Sequence, residues 1–352
     1  MKTTIKFCEK FVLFFFLIIF SILSIINIPW MFVSKQTSST DYSNWMSENI
    51  TSDKKIVDIA MIGAHDAFSY QIDIFSQVDE KSAESVMTGF VGKFIKGFSI
   101  RQSKTQTVNV EEQLKSGVRY FDMRLSYNED EKEYYTVHNY FSTPLKSVLR
   151  MIEKFLSANP GEFIILDIQH VYGVDYNSQE DFIEVYNYFE EEKLTDYAYP
   201  NNIKSLSSVS YADVTDDKNQ GGIMVFSKFS QTNEYFWGYD AHIRSSWANE
   251  DEFDKIIDFL ESEKTDIILN MTYRDRLVVM QAVATMEMST AGIFRSFGNW
   301  SLLGRAREFN QYLLNYEGID LLLDVMPIMM VDYASDKETV DQMMELIIEH
   351  NS

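Results

Sequence analysis

The sequence predicts one α/β barrel of eight parallel strands wrapped by helices, preceded by an apolar N-terminal helix. Three observations carry that expectation. Past residue 54, short β-rich runs alternate with longer stretches of helical periodicity, the order that a parallel sheet covered by helices imposes. The chain that remains there is about 300 residues long, the size of one such barrel with insertions. Hydrophobic residues make up 45% of the 352 and charged residues 24%, enough apolar material for one large core and too much for disorder.

The elements follow in order. Met1–Lys10 carries Lys2, Lys6 and Lys10, and Phe11–Ile28 then runs FVLFFFLIIFSILSIINI without a charge. Eighteen helical residues span about 27 Å, close to the bilayer hydrocarbon. Pro29 and Trp30 follow, and Trp suits the headgroup boundary. No small-x-small cleavage site precedes Lys35, so residues 1–34 read as a retained signal anchor before a cleaved signal peptide. The basic flank predicts a cytoplasmic N-terminus with the remainder outside, membrane-bound or secreted. Residues 35–54, Ser/Thr-rich from Gln36 to Asn44, read as a linker, and residues 55–352 as the barrel. Cys8 is the only cysteine, which excludes an intrachain disulfide framework and a thiolate metal cluster.

Lys55–Ile62, Val118–Leu125, Tyr134–His138, Phe163–Gln169, Gly222–Lys228, Asp266–Met271 and Met329–Tyr333 read as strands. Helical periodicity marks Val110–Lys115, Leu145–Ala158, Glu180–Glu192, Asp251–Glu261, Leu303–Tyr316 and Glu338–Glu349. Asn159-Pro160-Gly161 is a strong helix stop ahead of a strand.

Charge narrows the partners. Lys plus Arg number 31 against 53 Asp plus Glu, a net charge of −22. A nucleic-acid binder needs a basic surface to replace counterions, so that class is excluded. Removing Met1–Ser34 takes away three lysines and one glutamate and leaves 28 basic against 52 acidic residues. Such a surface repels anionic membranes at long range, so contact with lipid would rest on the N-terminal helix rather than on charge.

The chemistry gathers at strand ends. Of five histidines, His65 ends the first strand in Met61-Ile62-Gly63-Ala64-His65-Asp66, and His138 ends another in Tyr135-Thr136-Val137-His138. Barrels keep their sites at such ends. In Arg119-Tyr120-Phe121-Asp122-Met123-Arg124, alternation puts Asp122 and Arg124 on one face, where buried charges demand partners. Met329-Met330-Val331-Asp332 ends an apolar strand in a carboxylate. Two imidazoles titrating near pH 7 can take a proton from a hydroxyl and give one to a leaving oxygen. Arginine offers a fixed fork to phosphate, and a carboxylate behind the base fixes its tautomer. The set suits phosphodiester cleavage, although each residue alone also fits a structural ion pair.

IVDIAMIGAHDAFSY (Ile56–Tyr70), QLKSGVRYFDMRL (Gln113–Leu125), YTVHNYF (Tyr135–Phe141), VLRMIEKFLSANPGEFIILDIQ (Val148–Gln169) and IMMVDY (Ile328–Tyr333) resemble the X domains of phosphatidylinositol-specific phospholipases C. The resemblance covers roughly residues 55 to 350. It implies a distorted (β/α)8 TIM barrel that cleaves a phosphoinositide to diacylglycerol and a cyclic inositol phosphate. It further implies that His65 is the general base and His138 the general acid. Asp332 would orient the base, Asp66 would support the acid side, and Arg124 would bind phosphate. Calcium-dependent relatives place an acidic metal ligand where Arg124 stands, so the resemblance is to the metal-independent bacterial branch and implies no metal and no cofactor.

The headgroup pocket departs from the family. Lys228 stands where the bacterial enzymes use an arginine, Gln169 or His170 replaces a basic residue, and Ser245 and Trp247 stand at the places of an aspartate and a following aromatic. The implied partner is a phospholipid, a phosphoinositide or a related phosphodiester. His170, His242 and His350 read as structural. The aromatic segments Phe90–Phe98 and Tyr235-Phe236-Trp237 read either as lipid or sugar contacts or as packed insertions. Two alternatives stay open. A glycerophosphodiesterase would need H-R-G and E-x-D metal motifs that Gly63–Asp66 and Phe121–Arg124 lack. A catalytically silent X domain binding phosphorylated headgroups or a protein would need neither acid nor base.

Overall fold

The computed structural model describes residues 37–83, 96–230, 233–270, 275–285 and 302–352, together with 14, 16–18, 20, 21 and 92. Among the described residues ten strands form one sheet: β1 (Met61–Ala64), β2 (Val118–Asn128), β3 (Glu133–His138), β4 (Tyr140–Pro144), β5 (Phe163–Tyr172), β6 (Gly222–Ser227), β7 (Phe236–Gly238), β8 (Ile243–Ser246), β9 (Leu277–Ala282) and β10 (Ile328–Val331). Eight of them run parallel in the order β7-β6-β5-β2-β1-β10-β9-β8. β3 and β4 are an antiparallel excursion from β2.

Strand count and order are those of the expected barrel, but the sheet is a curled, open one. No ladder joins β7 to β8 among the described residues. Only the four-residue helix Tyr239–His242 separates β7 from β8. Crossover helices are Lys96–Ser103 and Val110–Lys115 between β1 and β2, then Leu145–Ala158, Gln179–Glu191, Phe253–Leu269 and Leu302–Leu314. Leu145–Ala158 buries Val148, Leu149, Ile152, Phe155 and Leu156 at helical spacing and stops at Asn159, with Gly161 at φ +87° in the left-handed region. β1 is buried along its length, as a strand covered on both faces must be.

Several expected elements shift. Lys55–Ile62 is mostly a turn of 3-10 helix at Ile56–Asp58, and the strand begins at Met61. Of the expected strand Asp266–Met271, Asp266–Leu269 is helical and Met271 lies outside the described residues: the helix runs Phe253–Leu269, carried by buried Ile256, Ile257 and Leu260, and a short apolar run alone does not separate helix from strand. The stretch read as a linker contains the helix Trp45–Asn49, whose Trp45 and Met46 are buried. Phe236 and Trp237 are core residues, not a surface platform. Of the expected N-terminal helix, Phe14, Phe16–Ile18, Phe20 and Ser21 are helical, and the rest of residues 1–34 lies outside the described residues, as does most of Phe90–Phe98. Among the described residues no helix is long and apolar enough to cross a membrane.

The N-terminal ends of the strands are tied by a buried ion pair. Arg119 and Glu162 are both fully buried, with the η2 nitrogen 2.6 Å and Nε 2.9 Å from Glu162 Oε2. The remaining guanidinium hydrogens go to the carbonyls of Leu114, Val118, Tyr42 and Ser43. The glutamate of the N-P-x-E segment is therefore a structural anchor at the end of the sheet away from the histidines.

Candidate active site

His65 follows β1 directly, and Gly63 within that strand lets β1 lie close to its neighbours. A Cβ there would stand 3.0 Å from Tyr120 and 3.2 Å from Met330. His65 Nδ1 lies 2.7 Å from Asp332 Oδ1, just past the end of β10. His65 Nε2 lies 3.3 Å from Asp66 Oδ2 and 3.2 Å from an Arg124 amino nitrogen. His138 Nε2 is also 3.3 Å from Asp66 Oδ2, and its Nδ1–H donates to the Ser103 carbonyl at 2.8 Å. The two rings meet edge to face, 6.3 Å between centroids.

Arg124 faces the same point. Its Nε is 2.8 Å from Asp66 Oδ1 and its η2 nitrogen 3.1 Å from Asp122 Oδ2. Asp66 and Asp122 are buried, while His65, His138 and Arg124 each keep about a fifth of their side chain exposed. Three cationic or ionisable groups thus open to solvent above a floor of carboxylates.

The environment separates the two imidazoles. Burial pushes His65 down, but Asp66 and Asp332 outweigh it and hold the ring up at about 9. Its Nε2 has a guanidinium and a carboxylate as rivals, and two carboxylates outweigh one Arg124. Burial also pushes His138 down, where Arg124 and His65 add to it and Asp66 and the bond to the Ser103 carbonyl oppose it, so His138 falls below the usual histidine value. At neutral pH the proton resides on His65 and not on His138. Asp66 stays ionised despite its burial because Arg124 and both histidines surround it.

Beneath this cluster lies a second buried acid. Asp167 on β5 is the register partner of Asp122 and is fully buried. Its Oδ2 accepts from the Tyr120 hydroxyl and from Gln169 Nε2. Burial and the neighbouring Asp122 push its carboxyl up to about 7.

The residues read from sequence fare unequally. His65, His138, Asp66, Arg124 and Asp332 converge. His138 arrives by an unexpected route, because its strand is antiparallel and folds back from β2 to bring the ring down to the mouth. Gln169 is buried and turned to Asp167. Lys228 lies 4.7 Å over the Tyr239 ring, and half-exposed Trp247 donates to Thr285 Oγ1 at 2.9 Å. None of these three is bonded to the five among the described residues. His242 Nδ1 is bound to the Gly238 carbonyl, a structural role.

Reading by sequence missed Asp167 and the segment Ser103–Gln106. Ser103 fixes His138, Thr105 Oγ1 donates to the His65 and Asp66 carbonyls at 3.0 Å, and Gln106 Nε2 reaches the His65 carbonyl at 3.1 Å. Polar residues in a loop carry no local signal of such work.

A divalent ion could draw on His65, Asp66 and Asp122, whose ligand atoms lie within 4.8 Å of one another. Arg124 already engages all three, so a metal would have to displace a buried cation, and the donor set does not fit one.

Comparison with known proteins gives a consistent picture. Residues 98–212 match the model of the family described as "Phosphatidylinositol-specific phospholipase C, X domain". The Danio rerio "PI-PLC X domain-containing protein 3" is 26% identical over 263 residues, covering 73% of this chain and 78% of its own length. The Trypanosoma brucei brucei "Variant-surface-glycoprotein phospholipase C" is 28% identical over 295 residues, 78% of this chain and 79% of that protein. The solved phosphatidylinositol-specific phospholipase C from Listeria monocytogenes shares the fold, with a TM-score of 0.56 at 20% identity over 89% of this chain and 100% of that one.

Proposed function

We propose that this chain, a member of the phosphatidylinositol-specific phospholipase C X-domain family, is a phosphodiesterase that cleaves a phosphoinositide or its glycosylated form by acid–base catalysis without a metal. One observation carries the reading: both Nε2 atoms lie 3.3 Å from a single carboxylate oxygen beside a guanidinium.

In the first step His65, held by Asp332, takes the proton of the inositol 2-hydroxyl as its oxygen attacks phosphorus. The bond from phosphorus to the diacylglycerol oxygen breaks, and His138 protonates that oxygen. Arg124 stabilises charge on the non-bridging oxygens. The products are diacylglycerol and a cyclic inositol phosphate, with His65 protonated and His138 neutral. That is the protonation state of the free site at neutral pH. It is also the state that opens the cyclic ester, with His138 taking a proton from water and His65 giving one to the departing ring oxygen. For the first step the proton must pass from His65 to His138, and Asp66 Oδ2, equidistant from both, is the route.

Turnover of phosphatidylinositol and of a chromogenic inositol phosphodiester tests the reading. His65→Ala and His138→Ala should each lose at least about a hundredfold in rate while staying folded. Wild-type protein that turns over neither substrate sinks the enzyme assignment and leaves a binding domain.

A further inference from the structure

The side-chain alternation of β5 breaks at the mouth. Asp122 lies opposite Asp167 and Met123 opposite Ile168, but Arg124 lies opposite His170. β5 therefore carries one residue more than β2 at this point, and Gln169 is the extra one. A bulge reverses the parity of every side chain beyond it. Without it, His170 would share the face of Ile168, away from the site. With it, His170 and Tyr172 share the face of Asp122 and Arg124.

The two re-aimed rings stack, 5.4 Å between centroids and 18° from parallel, and both are part-exposed. Arg124 lies close enough to the Tyr172 hydroxyl to oppose the burial that raises its proton affinity. No hydrogen bond reaches either ring nitrogen of His170 among the described residues. Paired strands run about 4.8 Å apart, so His170 is the direct neighbour of Arg124 on the β5 side. Burial, Lys228 and Arg124 keep this imidazole below its usual value, hence neutral, with one donor and one acceptor to offer.

We propose that His170 is a headgroup-binding residue: its free ring nitrogens hydrogen-bond a hydroxyl of the polyol ring whose phosphate sits on Arg124, with Tyr172 holding the imidazole plane. The inference rests on the phosphodiesterase reading and assigns to His170 the contact that Gln169, turned down to Asp167, does not make. A hydroxyl matches a neutral donor–acceptor pair better than it matches another cation, and Lys228 already supplies one positive charge on the neighbouring strand.

The test is kinetic, on inositol 1,2-cyclic phosphate and a chromogenic inositol phosphodiester. His170→Phe keeps the stack on Tyr172 and removes both nitrogens. It should raise KM about three- to tenfold on both substrates, the worth of one or two hydrogen bonds, with kcat changed much less. His170→Asn restores a donor and an acceptor and should recover part of the loss. An unchanged KM in His170→Phe overturns the assignment, as does a kcat loss at constant KM. Should the wild type turn nothing over, the enzyme reading fails by itself, and titration of inositol 1-phosphate decides the inference. Weaker binding by folded His170→Phe than by wild type sustains it, and equal binding ends it.

Discussion

His65 and Asp332 stand 267 residues apart in the chain and are joined by a 2.7 Å contact between Nδ1 and Oδ1. The parallel ladder of β1 with β10 brings them together, since Ala64 pairs with Val331 and each catalytic side chain is the next residue along. The contact orients the imidazole and contributes to holding its proton up to about 9. The first step needs the pair's one proton on His138, so the active form exists only while the pair holds that proton, and kcat/KM on the lipid should fall as pH rises through about 9. Asp332→Asn removes one of the two carboxylates. The falling limb should then move to lower pH while the maximal rate drops by about 10²–10⁴. A pH–rate profile of the two proteins checks this, and a limb that stays in place would remove Asp332 from the control of His65.

On the proposed mechanism Arg124 does the work a cation would otherwise do, so turnover should be unchanged in excess chelator. Arg124→Lys should lose about 10²–10³ in kcat, because a point charge cannot replace two parallel hydrogen bonds. Activity that vanishes in chelator and returns with calcium contradicts both statements.

Asp167 gives a stability signature. Its carboxyl titrates at about 7 when folded against an ordinary value of 3.8, so between those values the folded chain holds a proton that the unfolded chain has lost. That favourable linkage is fully present below the lower value and is lost as pH rises through about 7. Asp167→Asn mimics the neutral acid. Its melting temperature should gain on the wild type by at least ~3 °C between about pH 5 and pH 8.5, and a parallel dependence in both proteins would refute a neutral Asp167.

Glu162→Gln should destabilise the fold by about 3–5 kcal/mol, the cost of leaving Arg119 buried without its counter-charge. The pair sits at the opposite end of the strands from the histidines, so KM should hardly change. Denaturant titration and steady-state kinetics on the same preparation separate the two effects.

The charge-free run Phe11–Ile28 and its lysine flank predict membrane association with residues beyond about 35 outside the cytoplasm. A topology reporter fused after Ser352 reads this out in intact cells. Signal from the cytoplasmic side refutes it.

The sequence by itself determined the strand–helix alternation and named the five residues that converge, on which the proposed phosphodiester chemistry rests. These are local: a strand that ends in G-x-H-D or F-D-x-R carries its chemistry within a few residues, and two-residue alternation tells which side chains share a face. Tertiary structure alone decided the rest. No ladder closes β7 onto β8 among the described residues. His138 reaches the site by way of an antiparallel strand. Asp66 came to lie between two histidines, of which it and Asp332 raise one while burial lowers the other against its pull. The single extra residue in β5 exchanged Gln169 for His170 at the mouth, which no reading by period two could foresee, because a bulge is fixed by how two strands pair and not by either strand alone.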